Sequence, residues 1–393
     1  MRSIPLTHCL SAIIDNRGKT VPTCANGIPL IATNCIKMEC LYPVYENIRY
    51  ISQQTYNSWF RSHLQPNDIL FVNKGSPGKV AICPSPVPFV IAQDAIGLRA
   101  NNDIVYWKYL YYYLKSDAVQ TLIANNNVGL IIPHFKKAYL SRIMVPILPM
   151  EEQIKIGDIL YSIDEQIQRN NAMVHKLQVL AHTTYQRWFE QFEFPDEHGK
   201  PYKSSGGKMV WNDELKHKIP DTWNSSTLGA SIIECPKSSL QVNAASMTPD
   251  GYPFFTSGDN VLTHNEWIVD GAHCFLNTGG NADVKFWLGK AAYSTDTWCI
   301  HFGQFTFLYY EYLQDLKQHM DRLFFAGSGL KHLQKDILRQ RNVLLPPKKI
   351  LNAYNYIASS CYQQIGVLLA ENNNLSNLKT KLLPLLMNGQ LCV

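Results

Sequence analysis

The chain repeats itself, and that repeat limits its architecture more than any other feature. Gly27-Ile28-Pro29-Leu30-Ile31-Ala32-Thr33 returns as Gly251-Tyr252-Pro253-Phe254-Phe255-Thr256-Ser257. Gly78-Lys79-Val80-Ala81 returns as Gly289-Lys290-Ala291-Ala292, and the aromatic run Tyr111-Tyr112-Tyr113-Leu114 as Tyr309-Tyr310-Glu311-Tyr312-Leu313. His134 to Leu140 aligns with His332 to Leu338, and each half closes an apolar strand with a proline, Pro149 and Pro347; both pairs are 198 residues apart. Each echo is weak by itself. Their common order argues for a duplicated domain.

A helix follows each proline. Ile156, Leu160, Ile163, Ile167, Val174, Leu177, Ala181 and Trp188 step by about three and four residues, the seam of a coiled coil. Asn170 interrupts that seam and is read as fixing register. The helix is expected to reach about Phe189, roughly 40 residues or about 60 Å. The second copy carries Ile357, Cys361, Ile365, Leu368, Leu375, Leu378 and Leu382 at similar spacing; the 198-residue offset pairs Ile159 with Ile357, Ile167 with Ile365 and Leu177 with Leu375, and Pro384 is expected to kink or end the helix. Helices this long bury a seam only against a partner, so an antiparallel pair is expected. The alternative is two amphipathic helices, each lying on its own domain. Ile163, Ile167, Leu177, Ile365 and Leu375 are the expected seam residues.

The spacing suggests an α+β chain with an internal pseudo-twofold repeat: a globular half at 1–148, a helix at 149–190, a linker at 191–223, a second globular half at 224–346 and a closing helix at 347–393. The linker assignment rests on turn formers such as Pro195, Gly199, Pro201, Gly206 and Gly207. Inside the halves, Asp68 to Val72 reads as a strand running into the glycine turn Asn73 to Lys79, and Gly271 to Leu276 runs into the turn Asn277 to Asn281.

Chemistry of its own is hard to find. Ten cysteines occur without one C-x-x-C spacing, which disfavours a zinc ribbon, and no metal site is expected. Gly18-Lys19-Thr20 ends like a phosphate loop, but Ile13 stands where the leading glycine is needed. The asparagine- or aspartate-led proline motif of amino-methyltransferases is absent, since Leu344-Leu345 precede Pro346-Pro347. Cys299 with His301 is the remaining enzyme candidate, and the two are expected on opposite faces of a strand. No run of eighteen apolar residues and no apolar leader is visible, so a cytoplasmic protein is expected. The net charge of +5 is uneven: the first 148 residues hold 14 Lys/Arg against 7 Asp/Glu, whereas 224–346 hold 9 against 11. A phosphate footprint therefore suits the first half better.

Leu148-Pro149-Met150-Glu151-Glu152-Gln153, Trp188-Phe189-Glu190-Gln191-Phe192-Glu193-Phe194-Pro195, and Gly199 to Gly207 continuing to Met209-Val210-Trp211-Asn212 resemble one family across nearly the whole chain. It is the specificity (S) subunit of Type I restriction-modification systems. Asp15-Asn16-Arg17-Gly18-Lys19-Thr20 resembles the opening of its first recognition domains, while Lys348-Lys349-Ile350 departs from the Glu-Glu-Gln junction. The resemblance implies two target-recognition domains, each reading half of a bipartite sequence on double-stranded DNA. The helices become a spacer that sets the gap and docks two modification (methyltransferase) subunits, with restriction (translocase and nuclease) subunits added. It implies no catalysis and no cofactor in this chain; S-adenosylmethionine, ATP and Mg belong to the partners. A bivalent protein-only scaffold and an orphan DNA-binding relative stay open.

Within that frame the expected DNA contacts are turn and loop residues. Arg17 and Lys19 flank Gly18; Lys74, Ser76 and Lys79 share a glycine turn; His134, Lys136 and Lys137 recur as Lys331 and His332. Asn277, Thr278, Asn281 and Lys285 form the comparable loop of the second half. Simple turn chemistry explains several of these equally well.

Overall fold

The structure, a computed structural model, describes residues 2–16, 18–126, 132–245, 251–327, 329 and 331–391. It divides into two units, 1–169 with 374–393, and 170–373. The division falls inside the two long helices rather than at the ends of the globular halves.

In the first unit, β1 (Arg2–Pro5) pairs with β9 (Met144–Ile147) and closes the half. The main sheet has the order β2-β8-β5-β6, from β2 (Leu10–Asp15), β5 (Ile69–Val72), β6 (Val80–Ile82) and β8 (Ala95–Ala100). A smaller sheet, β4-β3-β7, uses β3 (Ile28–Ile31), β4 (Arg49–Ile51) and β7 (Val90–Ile91). All four residues of β5 are buried because both faces of the strand are covered.

The second unit opens with a hairpin, β10 (Met209–Asn212) and β11 (His217–Pro220). It then repeats the first topology. β12 (Asn224–Thr227) pairs with β22 (Asn342–Leu345). β13 (Ile233–Glu234), β16 (Ala272–Asn277), β17 (Val284–Leu288) and β19 (Thr297–His301) take the order β13-β19-β16-β17. β14 (Tyr252–Phe255), β15 (Leu262–His264) and β18 (Ala292–Tyr293) take the order β15-β14-β18. A short pair, β20 (Phe325–Ala326) and β21 (His332–Leu333), has no named counterpart among the described residues of the first half. The glycine-proline echo marks β3 and β14, the centres of the small sheets.

The tyrosine runs are core. Tyr109, Tyr111 and Tyr112 are fully buried, on a helix at Trp107–Leu114, and Tyr309 is buried on a helix at Thr306–Leu323. Tyr109 donates to the Pro146 carbonyl at 3.1 Å and Tyr309 to the Leu344 carbonyl at 2.9 Å, the same contact in each half.

The central helix spans Met150–Tyr185 and the C-terminal helix Lys348–Met387. Gly157 lets the central helix approach the tyrosine helix of its unit: a Cβ there would lie 2.9 Å from the Tyr109 nitrogen. Each unit shows the two helices antiparallel. In the first, Asp164 pairs with Lys379, while Ile156 and Leu160 share a core with Leu386 and Met387. In the second, Asn170 Nδ2 donates to Asn372 Oδ1 at 2.9 Å, while Val174 and Ala181 pack with Cys361, Ile365 and Leu368. Asn372 also donates to Asn171 at 2.8 Å, so the polar break in the seam is a buried amide ladder. Ile163 and Ile365 are buried; Ile167, Leu177 and Leu375 are half-buried.

Three expectations need correction. The central helix does not stay α-helical to Phe189: Gln186–Glu190 forms a π turn, closed by Gln191 N donating to Gln186 O at 2.9 Å. Pro384 does not end the C-terminal helix, which continues to Met387. The segment 191–223 is no loose linker. Phe192, Phe194, Ile219 and Trp223 are buried in the second core, and the glycines and prolines only turn the chain between them. Four large apolar side chains cannot be left in water, and that outweighs the local turn composition.

Candidate nucleic-acid interface

At one end of the first main sheet, three chain segments meet. β5 runs into the turn Asn73–Lys79, which is closed by Val72 N donating to Lys79 O at 2.9 Å. Asn73 N and Lys74 N donate to Asp94 O, at 3.1 and 3.3 Å. Gly75 N donates to Pro133 O at 2.9 Å, Phe135 N donates to Asn73 O at 2.8 Å, and Lys74 bridges His134. Phe135 is buried against Phe71, and this anchor leaves Lys136 and Lys137 exposed just beyond it. Lys137 forms an ion pair with Asp15 at the end of β2, and Lys74 lies 3.8 Å from Asp94. The next turn carries exposed Lys19, whose N–H donates to Asn16 O at 3.3 Å. Asn16 itself is buried and accepts from Trp59 Nε1 at 2.7 Å. Lys19, Lys74, Lys136, Lys137 and His134 thus stand on one rim, with Ser76 and Lys79 half-exposed beside them. Arg17 lies outside the described residues.

The second half has the same wiring. β16 runs into a turn in which Thr278 N donates to Asp296 O at 3.2 Å and Gly280 N to Lys331 O at 3.0 Å. Leu333 N donates to Thr278 O at 3.0 Å, and Gly279 bridges His332. The 198-residue offset therefore places His134 and His332 at one structural position.

The side chains on this frame differ from expectation. Asn277 is buried and its amide is used internally, donating to Ser257 O at 2.9 Å and Asn281 O at 3.2 Å. Lys285 is held inside by Thr256 O at 3.1 Å, Asn277 Oδ1 at 3.2 Å and Asp283 at 3.1 Å. Both are struts of the loop rather than contact residues, because a polar group under a turn satisfies the turn's own carbonyls. Thr278 Oγ1 donates to Asp296 O at 2.7 Å, and Asn281, Lys331 and His332 are exposed.

The sequence reading missed cation–aromatic pairs. Lys290 lies 4.9 Å from the centre of the exposed Trp267 ring, Lys335 lies 4.4 Å from Trp298, and the Arg142 guanidinium lies 3.9 Å from Tyr139. Trp267 and Lys290 come from separate turns, so no local spacing signals their meeting.

The remaining enzyme candidate also needs correction. Cys299 and His301 are two apart on β19, so they share a face. Cys235 and His273 join them there. The Cys235 thiol is held well below the usual range, by the hydrogen bond from Cys299 and then by His273, against the opposing effect of burial. Among the described residues no group of three or more His, Cys, Asp or Glu is placed to hold a metal ion. No described helix is long and apolar enough to cross a membrane.

Comparison with known proteins carries the reading further. Residues 25–178 match the family model of the Type I restriction modification DNA specificity domain. The MjaIX specificity subunit of a Type I restriction enzyme from Methanocaldococcus jannaschii is 23% identical over 355 residues, which is 83% of this chain and 78% of the relative. The chain resembles the Type I specificity subunits. A second relative from the same organism, the MjaVIII specificity subunit, is 27% identical over 158 residues, covering 40% of this chain and 33% of its own length. The solved structure of the S subunit of the Type I system from M. genitalium superposes with a TM-score of 0.61 at 15% identity, covering 98% of this chain and 95% of that one. This likeness shows the fold alone, the duplicated α+β architecture with long helices.

Proposed function

We propose that this chain is the sequence-reading subunit of a Type I restriction-modification complex, with each globular half reading one part of a bipartite DNA target. The matched main-chain wiring of the two turns carries this reading. Each half holds a strand-end turn against a second segment, and exposes polar and cationic side chains from that frame. Lys19, Lys74, Lys136 and Lys137 suit phosphates in the first half; Thr278, Asn281, Lys331 and His332 are the contact set of the second. A protein-only scaffold leaves the first rim without a task.

The long helices set the spacing between the half-sites and dock two modification subunits, to which restriction subunits are added. Adenine methylation, with S-adenosylmethionine, and ATP- and Mg-dependent cleavage belong to those partners. The relatives are named specificity subunits, and a reader without chemistry of its own fits that name. A cytoplasmic location follows from the DNA substrate.

Co-expression with candidate methyltransferase partners tests the proposal directly. The expected outcome is a complex of two methyltransferases with one copy of this chain, and methyl-adenine in a two-part motif. A chain that recruits no partner and binds no duplex at low salt would sink it.

A further inference from the structure

The face shared by β13, β19 and β16 has an unusual composition. The register pairs Glu234 with Ile300 and Cys274 with Ile300, which brings Cys235 beside Cys299 and His273 beside His301. Cys235 N donates to Cys299 O at 3.0 Å. Cross-strand neighbours of this kind have Cα atoms about 5.5 Å apart, within the span a disulfide bridges. The His273 and His301 rings are 5.3 Å apart, and Phe255, Phe275 and Tyr293 pack beneath the group. Cys299 is buried, whereas Cys235 is half-buried and within reach of solvent.

The electrostatics divide the labour between the two thiols. Cys299 donates to the Cys235 sulfur, burial opposes the charge there, and His273 then favours it; His301 adds a smaller contribution. Cys299 is driven far upward by burial and then by the neighbouring Cys235. Burial works against a charged His273, but Cys235, the Gly271 carbonyl and Asp270 favour it. Elsewhere burial alone pushes Cys9 up, and it dominates at Cys83 and Cys274. Among the described residues the first half has nothing comparable. The matching register puts Ile14, Gly97, Asp68 and Arg99 at the positions of Cys235, Cys299, His273 and His301.

We propose that Cys235 and Cys299 form a peroxide-responsive thiol pair, with Cys235 as the attacking sulfur and Cys299 as the resolving one. The Cys235 thiolate attacks a hydroperoxide oxygen and becomes a sulfenic acid; the O–O bond breaks, and the leaving oxygen takes a proton from His273. Cys299 then attacks the sulfenic sulfur, losing its proton, and the hydroxyl leaves as water. Two thiols give one disulfide, and hydrogen peroxide is reduced to two waters. Cys235 lies at the root of the segment that corresponds to the Lys19 turn of the first half, so the pair is positioned to act on recognition by the second half. The thiol chemistry itself is independent of any reading of DNA.

The test treats the full chain with hydrogen peroxide and maps its peptides without reduction. A Cys235–Cys299 linked peptide is expected, together with a dimedone-trapped Cys235 in Cys299→Ser and neither product in Cys235→Ser. His273→Asn should slow disulfide formation about 100-fold, the lower end of the fall expected when a positioned proton donor is lost. Iodoacetamide labelling of the unmutated chain provides a second readout. Between pH 8 and pH 6 labelling of free cysteine in solution should slow about 80-fold, and that of Cys235 by less than about threefold. Peroxide that oxidises exposed Cys24 while leaving Cys235 reduced, or a Cys235 labelling rate with the pH dependence of free cysteine, would overturn the proposal.

Discussion

The two globular halves share a backbone plan and differ in what fills it. Where the first half holds Asp68 against Arg99 by two bonds of 2.8 Å, the second places His273 against His301. Where the first packs Ile14 against Gly97, with a Cβ at 97 falling 3.3 Å from the Ile14 Cβ, the second sets Cys235 against Cys299. The rims differ as well: Lys74 in the first half becomes Gly279 in the second, and the nearby Lys285 is turned inward. Main-chain hydrogen bonds carry the duplication, so side chains are free to diverge without unmaking the turn. That divergence is what the proposed reading, two readers built on one frame for different targets, would require.

The largest difference is expected at the matched strand pair, where Asp68 is buried and Arg99 half-buried. Asp68→Ala takes the carboxylate from the Arg99 guanidinium, leaving it the His63 carbonyl, and frees Gln65 N, which Asp68 accepts at 2.7 Å. The first unit should lose about 3 kcal/mol, read as a lower urea midpoint. His273→Ala should cost the second unit clearly less. Equal losses would mean that the two pairs carry the same structural load, and the contrast would fail.

The helices offer a second comparison, because Ile167 and Ile365 are repeat mates. Ile365 is buried in its cluster and Ile167 is half-buried. Ile365→Asp should therefore cost at least about 2 kcal/mol, and Ile167→Asp less. Thermal unfolding followed by circular dichroism would rank them, and the reverse order would refute the seam described in the second unit.

The rims should separate by salt dependence. Lys74 and Lys137 already face Asp94 and Asp15, so Lys19 and Lys136 are the better phosphate contacts. Lys19→Ala combined with Lys136→Ala should lower the slope of log affinity against log salt by about 2, and Lys331→Ala by about 1. A larger effect from Lys331 would move the electrostatic anchor to the second half.

Much of this plan was legible in the chain, and for a physical reason. The repeat appears wherever the backbone requires a residue type: the proline of β3 and β14, the histidines bridging the two turns, the apolar seam. What was not legible lies in long-range choices. Nothing local shows that Asn277 and Lys285 turn inward to satisfy a loop, or that Trp267 meets Lys290. The segment 191–223 was misread because its glycines and prolines are adjacent in sequence, whereas the core that claims Phe192 and Trp223 is assembled from distant strands. The Cys235 pair was hidden by a misjudged strand period.

The smallest effect is also the one that changes with pH. In the second unit, Glu311 is buried, accepts from Tyr362 at 2.5 Å and contacts His182 Nδ1 at 3.0 Å. Burial raises its pKa above the ordinary 4.5, more than Tyr362 and His182 lower it. A carboxyl raised in the folded state binds its proton more tightly there than when unfolded. Its contribution to stability is therefore complete below pH 4.5 and is lost as pH rises through the raised value. Glu311→Gln keeps an acceptor for Tyr362 and removes the ionisation. It should flatten this part of the stability profile and leave the second unit up to about 1 kcal/mol more stable at pH 7, the scale of an ordinary net hydrogen-bond term. The first unit pairs its buried Asp164 with Lys379, and Tyr112 donates to the same carboxylate, so Asp164→Asn should act in the opposite sense by leaving a lysine uncompensated. Urea midpoints at pH 5 and pH 7 for both variants decide the matter. If Glu311→Gln loses stability at both values, the carboxylate is a net support, and the two units handle their buried acids alike.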